Sequence, residues 1–219
     1  MKKIIFALSA AVVLASCGGN ETAPAVETPK QDTVAAQVCT YSYDSTSTEI
    51  GFGAFKFTEK KEVKGSFLKF TIDSTIEANQ IFDVFSKAQF KIEIEGLSTK
   101  DPGRDNTLKN SFFAAMDSTS FLTGKVVGII TPNAGPSSFH VELKMNNIVR
   151  EVYLEVQQTP NPDELILKGT INLDDFKAGK ALASLNKACK DLHKGSDGKS
   201  VTWPEVNIYV STKLKKNCK

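Results

Sequence analysis

Cysteine and histidine are the residues best equipped for covalent or metal chemistry, and the chain has 4 of the first and 2 of the second. Cys17 stands at the end of Leu14-Ala15-Ser16-Cys17. Lys2 and Lys3 supply a positive start, and residues 4–15 an apolar run too short to span a bilayer core of roughly 30 Å comfortably. Small residues before a thiol are what lipoprotein processing needs, because the thiol takes the diacylglycerol and the chain is cut before it. Residues 1–16 are therefore expected to be a lipoprotein signal peptide, and Cys17 the lipid attachment residue. Cys39, Cys189 and Cys218 remain, an odd number in an oxidising compartment. His193 follows Cys189 by four, a spacing that would place both on one helix face, but two ligands do not make a metal site. His140 falls on the polar parity of its segment. No metal, no catalytic residues and no cofactor are expected. The chain has no Gly-rich phosphate loop, Gly-x-Ser-x-Gly elbow or His-Glu-x-x-His pair, so it is not read as an enzyme.

Charge excludes another class. Lys+Arg number 27 and Asp+Glu 25, and removal of Lys2 and Lys3 leaves 25 against 25. A nucleic-acid binder normally carries a basic excess, and only Arg104 and Arg150 could read phosphates or bases bidentately. Nucleic acid is not an expected partner. Arg104 and Asp105 are candidates for a headgroup site, although a local ion pair or helix-start contact explains them as well. Lys56, Lys60 and Lys61 could meet a phosphate, but a solvated lysine run at a strand edge is the simpler reading.

These residues need a scaffold. Residues 17–38 combine the acylated cysteine with a Gly-, Pro- and Thr-containing flexible linker, and residues 39–219 form one folded domain. There the dominant period is two. Phe90, Ile92 and Ile94 share a parity with Ala88; Phe139, Val141 and Leu143 with Met145; Leu154 and Val156 with Val152. Leu167 shares one with Leu165, Ile171 and Leu173; Ile208 and Val210 with Val206. One apolar and one wet face per segment is the antiparallel pattern. Phase slips, from Ile50 and Phe52 to Phe55 and Phe57, and from Val63-Gly65-Phe67 to Leu68-Phe70-Ile72, predict β-bulges. Two segments have helical spacing: residues 104–116, with Leu108, Phe112 and Phe113, and residues 174–193, with Leu182, Leu185 and Leu192. The expected fold is all-β: roughly eight antiparallel strands in a lipocalin-like barrel with one or two short helices. In such a barrel the first and last strands are neighbours. Cys39 and Cys218 then share a rim, and their pairing is favoured over a bridge from Cys189.

The order of these segments resembles the YceI-like family of exported lipocalin-like proteins. The resemblance lies in Ile50-Gly51-Phe52 with Val63-Lys64-Gly65-Ser66-Phe67, in Arg104-Asp105 running to Phe112-Phe113, in Val141 to Met145 followed by Ile148-Val149-Arg150, and in Ile171-Asn172-Leu173-Asp174-Asp175-Phe176. It implies an apolar barrel cavity that binds a long isoprenoid lipid, with no catalysis. The inward stripes then become its wall: Phe52, Phe67, Phe70 and Ile72; Phe90, Ile92 and Ile94; Leu108, Phe112 and Phe113; Phe139, Val141 and Leu143; Leu154, Val156, Leu167, Ile208 and Val210. Asn147-Ile148-Val149 departs from the family's Gly-Val-Thr. The second helical segment and the three mature-chain cysteines are not general family features. The combined expectation is an envelope lipoprotein, anchored by its N-terminus at the outer membrane facing the periplasm, that binds or carries an isoprenoid lipid. The alternative is a structural or interaction lipoprotein whose barrel is filled by its own side chains.

Overall fold

Alternating apolar and polar residues make strands because successive side chains leave a pleated backbone on opposite faces. In the computed structural model, which describes residues 37–117 and 120–219, this alternation builds one curled antiparallel sheet of ten strands. A separate ribbon pairs β1 (Cys39–Ser42) with a strand at the other end of the domain. The sheet contains β2 (Thr48–Lys56), β3 (Lys61–Phe67), β4 (Phe70–Asp73), β5 (Gln89–Glu93), β6 (Leu97–Ser98), β7 (Phe121–Ile130), β8 (Ser138–Met145), β9 (Ile148–Gln157), β10 (Glu164–Asn172) and β11 (Thr202–Lys213). The partner of β1 is β12 (Lys215–Cys218). Neighbours in the sheet run β4-β5-β7-β8-β9-β10-β11-β2-β3-β6. The signal segment, Cys17 and all of the linker but its last two residues lie outside the described residues.

The two ends of this sheet are stitched together. β3 continues into β4 past Leu68 and Lys69, and β5 continues into β6 through a 3-10 turn at Ile94–Gly96. β3 pairs with β6 at Phe67↔Leu97, and β4 with β5 at Phe70↔Ile92. Across the bend the Leu68 N–H donates to Gly96 O at 2.8 Å, and the Glu93 N–H to Lys69 O at 3.0 Å. Counting each bent stave once, the ten strands reduce to the eight that the sequence pattern predicts.

One expected bulge coincides with that bend, where Leu68 turns outward and is 71% exposed. The other does not lie in β2, which keeps its parity. The irregularity is opposite, in β11 between Thr202 and Val206. Pro204 lies there and has no N–H to give the ladder. Phe57 stands beyond β2 at φ 64°.

Connections of two kinds close the ends. β6 to β7 and β10 to β11 are joined by helical segments, which therefore gather at one end of the barrel. In the first, α1 (Pro102–Thr107) is capped by Asp101, whose Oδ1 accepts the Arg104 N–H at 3.0 Å. Pro102 fits the first turn, where its missing N–H costs nothing. The helix then changes pitch, to a π turn over Leu108–Phe112 and a 3-10 turn over Phe113–Ala115. In the second, a 3-10 turn at Leu173–Phe176 precedes α2 (Gly179–Ala188), so regular helix covers less than the expected 174–193. The β8–β9 turn sits at the same end. Asn146 and Asn147 take φ of 52° and 57°, the left-handed region that asparagine tolerates in tight hairpins. The Asn146 side chain accepts the Asp117 N–H and donates to Phe176 O, tying both helical segments to the hairpin.

The opposite end is closed by residues 74–88 and the β1/β12 ribbon. Val84 and Phe139 are almost fully buried there, and Phe82 and Phe85 meet the Phe139 ring edge-on. Burying such rings contributes roughly 1.5–3 kcal/mol each. In the ribbon Cys39 lies directly opposite Cys218, with Cα atoms 4.0 Å apart, and the two form a disulfide. The alternative bridge from Cys189 is not formed: Cys189 is a free, buried thiol beyond the end of α2. Burial pushes its pKa up, away from the reactive thiolate. His140 faces outward as expected but is covered, stacked on Tyr153 at 4.7 Å.

Candidate functional site: an apolar cavity inside the barrel

The side chains do not fill the barrel. They leave a cavity of about 220 Å³. Phe52 from β2, Phe67 from β3 and Ile72 from β4 form one side of its wall, with Phe90 and Ile92 from β5. Phe139, Val141 and Leu143 from β8, Leu154 from β9, Leu167 from β10 and Ile208 and Val210 from β11 complete the circuit. Leu108, Phe112 and Phe113 close the helical end. Phe52, Ile72, Phe90, Ile208 and Val210 face inward yet are only half-buried, because part of their surface meets empty space.

Three expected wall residues lie elsewhere. Ile94 is buried but opens the 3-10 turn after β5, where the alternation of the strand ends. Phe70 directly follows the bend at Leu68-Lys69 and packs against the core beside it. Val156 continues the parity of Leu154, but the cavity stops short of it. Other wall residues carried weaker signals. Leu182 and Leu185 formed a helical stripe that fits packing over any sheet. Phe85 and Ala88 come from a segment without period, and Trp203 is hidden by the β11 bulge.

The few polar groups of the wall are satisfied. The Thr48 and Thr212 hydroxyls are 2.6 Å apart, and Thr48 also donates to Asp44 O. Thr202 Oγ1 donates to Asn186 Oδ1 at 3.0 Å, and Trp203 Nε1 donates to Phe57 O at 2.7 Å. Nothing left over asks for water, and apolar cavities of roughly 150 Å³ already stay dry and take up small apolar molecules. The wall suits hydrocarbon.

Glycines set part of the bore. Phe52 lies opposite Gly65 across the β2–β3 ladder, and Phe90 opposite Gly124 across β5–β7. Each ring rests where a glycine Cβ would stand; a Cβ on Gly65 would lie 2.7 Å from Phe52 Cε1. Gly65→Ala is therefore expected to tip the Phe52 ring into the cavity. Xenon or benzene uptake should fall, with a stability change of about 1 kcal/mol; unchanged uptake would contradict this seating.

Polar groups gather at the helical end. β2 places Thr48, Ile50, Phe52 and Ala54 on the wall, and Lys56 is next on that parity. Lys56 lies opposite Thr202, and its Nζ donates to Leu192 O at 3.3 Å. Because Thr202 donates to Asn186, the 2.7 Å contact between Thr202 Oγ1 and His193 Nδ1 makes His193 the donor. Burial, and then the charges of Lys56 and Arg104, hold the His193 pKa below its ordinary value. A depressed base favours the neutral folded form. Its contribution is complete above a pH of about 6.5 and is lost as pH falls toward the folded pKa. His193→Gln should reduce the drop in melting temperature between about pH 7.5 and 5; an unchanged drop would refute it.

Arg104 is not on the cavity wall. Its Nη2 lies 3.4 Å from Asp101 Oδ2 at the exposed start of α1. Asp105 is a clamp, its Oδ1 accepting both the Thr99 N–H and hydroxyl at 2.7 Å. Lys60 pairs with Glu205 and lies over the Trp203 ring, and Lys61 is exposed as expected. Among the described residues no three metal-ligating side chains cluster.

A YceI-like domain model matches residues 41–214. The chain belongs to the YceI-like family. Solved structures agree on the fold. This YceI-like chain is similar to Burkholderia cenocepacia BcnA, at 15% identity and TM-score 0.52, covering 80% of this chain and 99% of that one. It is also similar to a polyisoprenoid binding domain from Saccharophagus degradans implicated in plant cell wall breakdown. That match has 12% identity and TM-score 0.51 and covers 82% of this chain and 99% of the other. No curated protein matches the chain. A prokaryotic membrane lipoprotein lipid attachment site matches residues 1–17, ending at Cys17, and supports a lipid-anchored bacterial envelope protein. In this YceI-like barrel the Arg104-to-Phe113 segment divides its work: Asp105 fastens it to the sheet, and Leu108, Phe112 and Phe113 reach the cavity.

Proposed function

We propose that this protein binds and carries a long-chain isoprenoid lipid in its barrel cavity while acylated Cys17 holds it to an envelope membrane. The observation that carries the reading is the cavity of about 220 Å³ with a carbon wall and no unsatisfied polar group. Such a wall replaces water around an isoprenoid chain and has nothing to offer a polar metabolite. The fold shared with a polyisoprenoid binding domain supports the same reading. The protein acts by sequestration and transfer, without catalysis, cofactor or nucleic acid. The tether keeps it at the outer membrane on the periplasmic side, next to the source of its ligand.

Lipid extraction from the purified full chain, with mass spectrometry, tests this. An isoprenoid enriched over the surrounding membrane is expected; recovery of bulk membrane lipid alone would remove the proposal. Cys17→Ala should move the protein from the membrane to the soluble fraction, since acyl chains contribute roughly 0.8 kcal/mol per buried CH₂ and no other anchor is proposed. Membrane retention of that variant would show a second anchor.

A further inference from the structure

Helical spacing puts Leu192 on one stripe with Leu182 and Leu185, yet it stands outside the fold, 71% exposed. The reason is local. Helix α2 stops at Ala188, and Cys189 leaves helical geometry at φ −103°, ψ 15°. Polar contacts then fix the path back to β11. The His193 N–H donates to Cys189 O at 2.8 Å, Lys56 Nζ to Leu192 O at 3.3 Å and the Val201 N–H to His193 O at 3.2 Å. Lys194 pairs with Ser200 in a one-rung antiparallel bridge. Leu192 is thus held in water by a hydrogen-bonded frame.

The charge around it is one-sided. Lys177, Lys180, Lys187, Lys190, Lys194 and Lys199 are all exposed, and within residues 177–199 only Asp191 and Asp197 oppose them. Asp197 is already engaged, accepting from the Thr58 hydroxyl at 2.7 Å and the Lys199 N–H at 3.0 Å. None of the six lysines is ion-paired among the described residues. At the ribbon end, by contrast, Lys213 pairs with Asp163 and Lys215 with Asp44. The charge of the mature chain balances at 25 against 25, so this cationic surplus is local.

We propose that α2 and its return to β11 form a docking surface for an anionic bilayer, with Leu192 entering the headgroup region and the surrounding lysines meeting lipid phosphates. Lysine suits this contact, because its long stem lies along apolar surface while the ammonium reaches outward. A folded protein partner would need a broader apolar face than one leucine. The tether permits the contact. Residues 18–38 reach roughly 70 Å at full extension, whereas β11, at 12 residues, is about 40 Å long. An anchor at Cys17 therefore leaves either end of the barrel free to meet the membrane, and the lysine surface makes the choice. The contact orients a protein already held by its acyl chains, which supply the effective concentration that a weak surface needs. It is too weak to retain the chain once they are removed. It also stands independently of what the cavity carries.

The test places the full acylated chain on liposomes of phosphatidylcholine, with and without phosphatidylglycerol. An environment-sensitive dye is attached at Ser196→Cys, beside the lysines, or at Ala134→Cys, in the β7–β8 turn at the far end; Cys189 is buried and does not compete. Phosphatidylglycerol should raise the docked-to-free ratio at residue 196 about tenfold or more and leave residue 134 unchanged. High salt should reverse the shift. Lys187→Gln with Lys190→Gln and Lys194→Gln should abolish it, arginine at the same three positions should retain it, and Leu192→Ser should weaken it, all at unchanged melting temperature. An equal shift on phosphatidylcholine alone, a shift at residue 134 instead, or none at either position overturns the proposal. So does a shift that follows the density of protein on the liposome instead of its phosphatidylglycerol, which assigns the surface to a second copy of the chain. None of these results touches the lipid-extraction test, so failure of the docking surface and failure of the carrier reading are separable.

Discussion

Replacement of Cys39 and Cys218 by serine is expected to lower the unfolding free energy by about 5 kcal/mol at most, the largest single loss anticipated for any local change in the domain. The bond joins residues 179 apart in sequence, so in the unfolded state it closes nearly the whole domain into one loop. On the chain-entropy model the stabilisation grows with the logarithm of loop length, which puts this bond near the upper end of the usual range. The β1/β12 ribbon positions the two cysteines opposite each other, and the Lys219 N–H donates to Val38 O beside them at 3.0 Å. Urea unfolding of the full chain with and without reductant measures the effect. A midpoint that does not move on reduction would show that the ribbon and the neighbouring β2–β11 ladder already hold the termini. Loss confined to β1 and β12, seen by hydrogen exchange, would limit the bond to a local clasp.

Ile92→Trp and Leu143→Trp should reduce co-purified lipid by about tenfold or more while costing the fold less than about 1 kcal/mol. Both residues lie on the cavity wall, in strands β5 and β8. A tryptophan there grows into empty space, so it gains contacts instead of displacing neighbours, and filling an apolar void often stabilises. In a packed interior the same change forces rotamers and backbone apart at a cost of roughly 1–3 kcal/mol. The two cases separate on paired measurements of lipid recovery and melting temperature. Normal recovery with a clear loss of stability would support the side-chain-filled scaffold and sink the carrier reading.

Much of the wall was legible because a strand's period leaves little freedom. Once Phe139 faces inward, Val141 and Leu143 must follow, and the structure places all three on the cavity. Parity fails where the strand stops being a strand. Ile94 shares its parity with Ile92, but the 3-10 turn at Ile94–Gly96 rotates it off the wall. The β11 irregularity was assigned to β2, since a phase slip in a sequence shows that two strands lose register without showing which one carries the extra residues. Residues 74–88 have no period, so nothing announced that Phe85 and Ala88 would help close the cavity. Lys56 was misread for a related reason. A lysine near other lysines at a strand end resembles a solvated edge, and only the closure of β2 between β3 and β11 shows that no edge exists there.

The Cys39–Cys218 bond also decides how the domain bears load. A chain anchored through Cys17 transmits any pull along residues 18–38 into Cys39. Without the bond, that force would act on β1 first and then peel β2 from β11 one hydrogen-bond pair at a time, the weakest direction in which a ladder can be opened. With it, tension entering at Cys39 passes straight to Cys218 and is divided between the first and last strands. They meet the closed barrel side by side, so the pull becomes shear along both strands. The covalent staple thus serves as a strain relief where tether meets cargo hold, and single-molecule pulling from residue 17 should show it as an unfolding force that collapses on reduction.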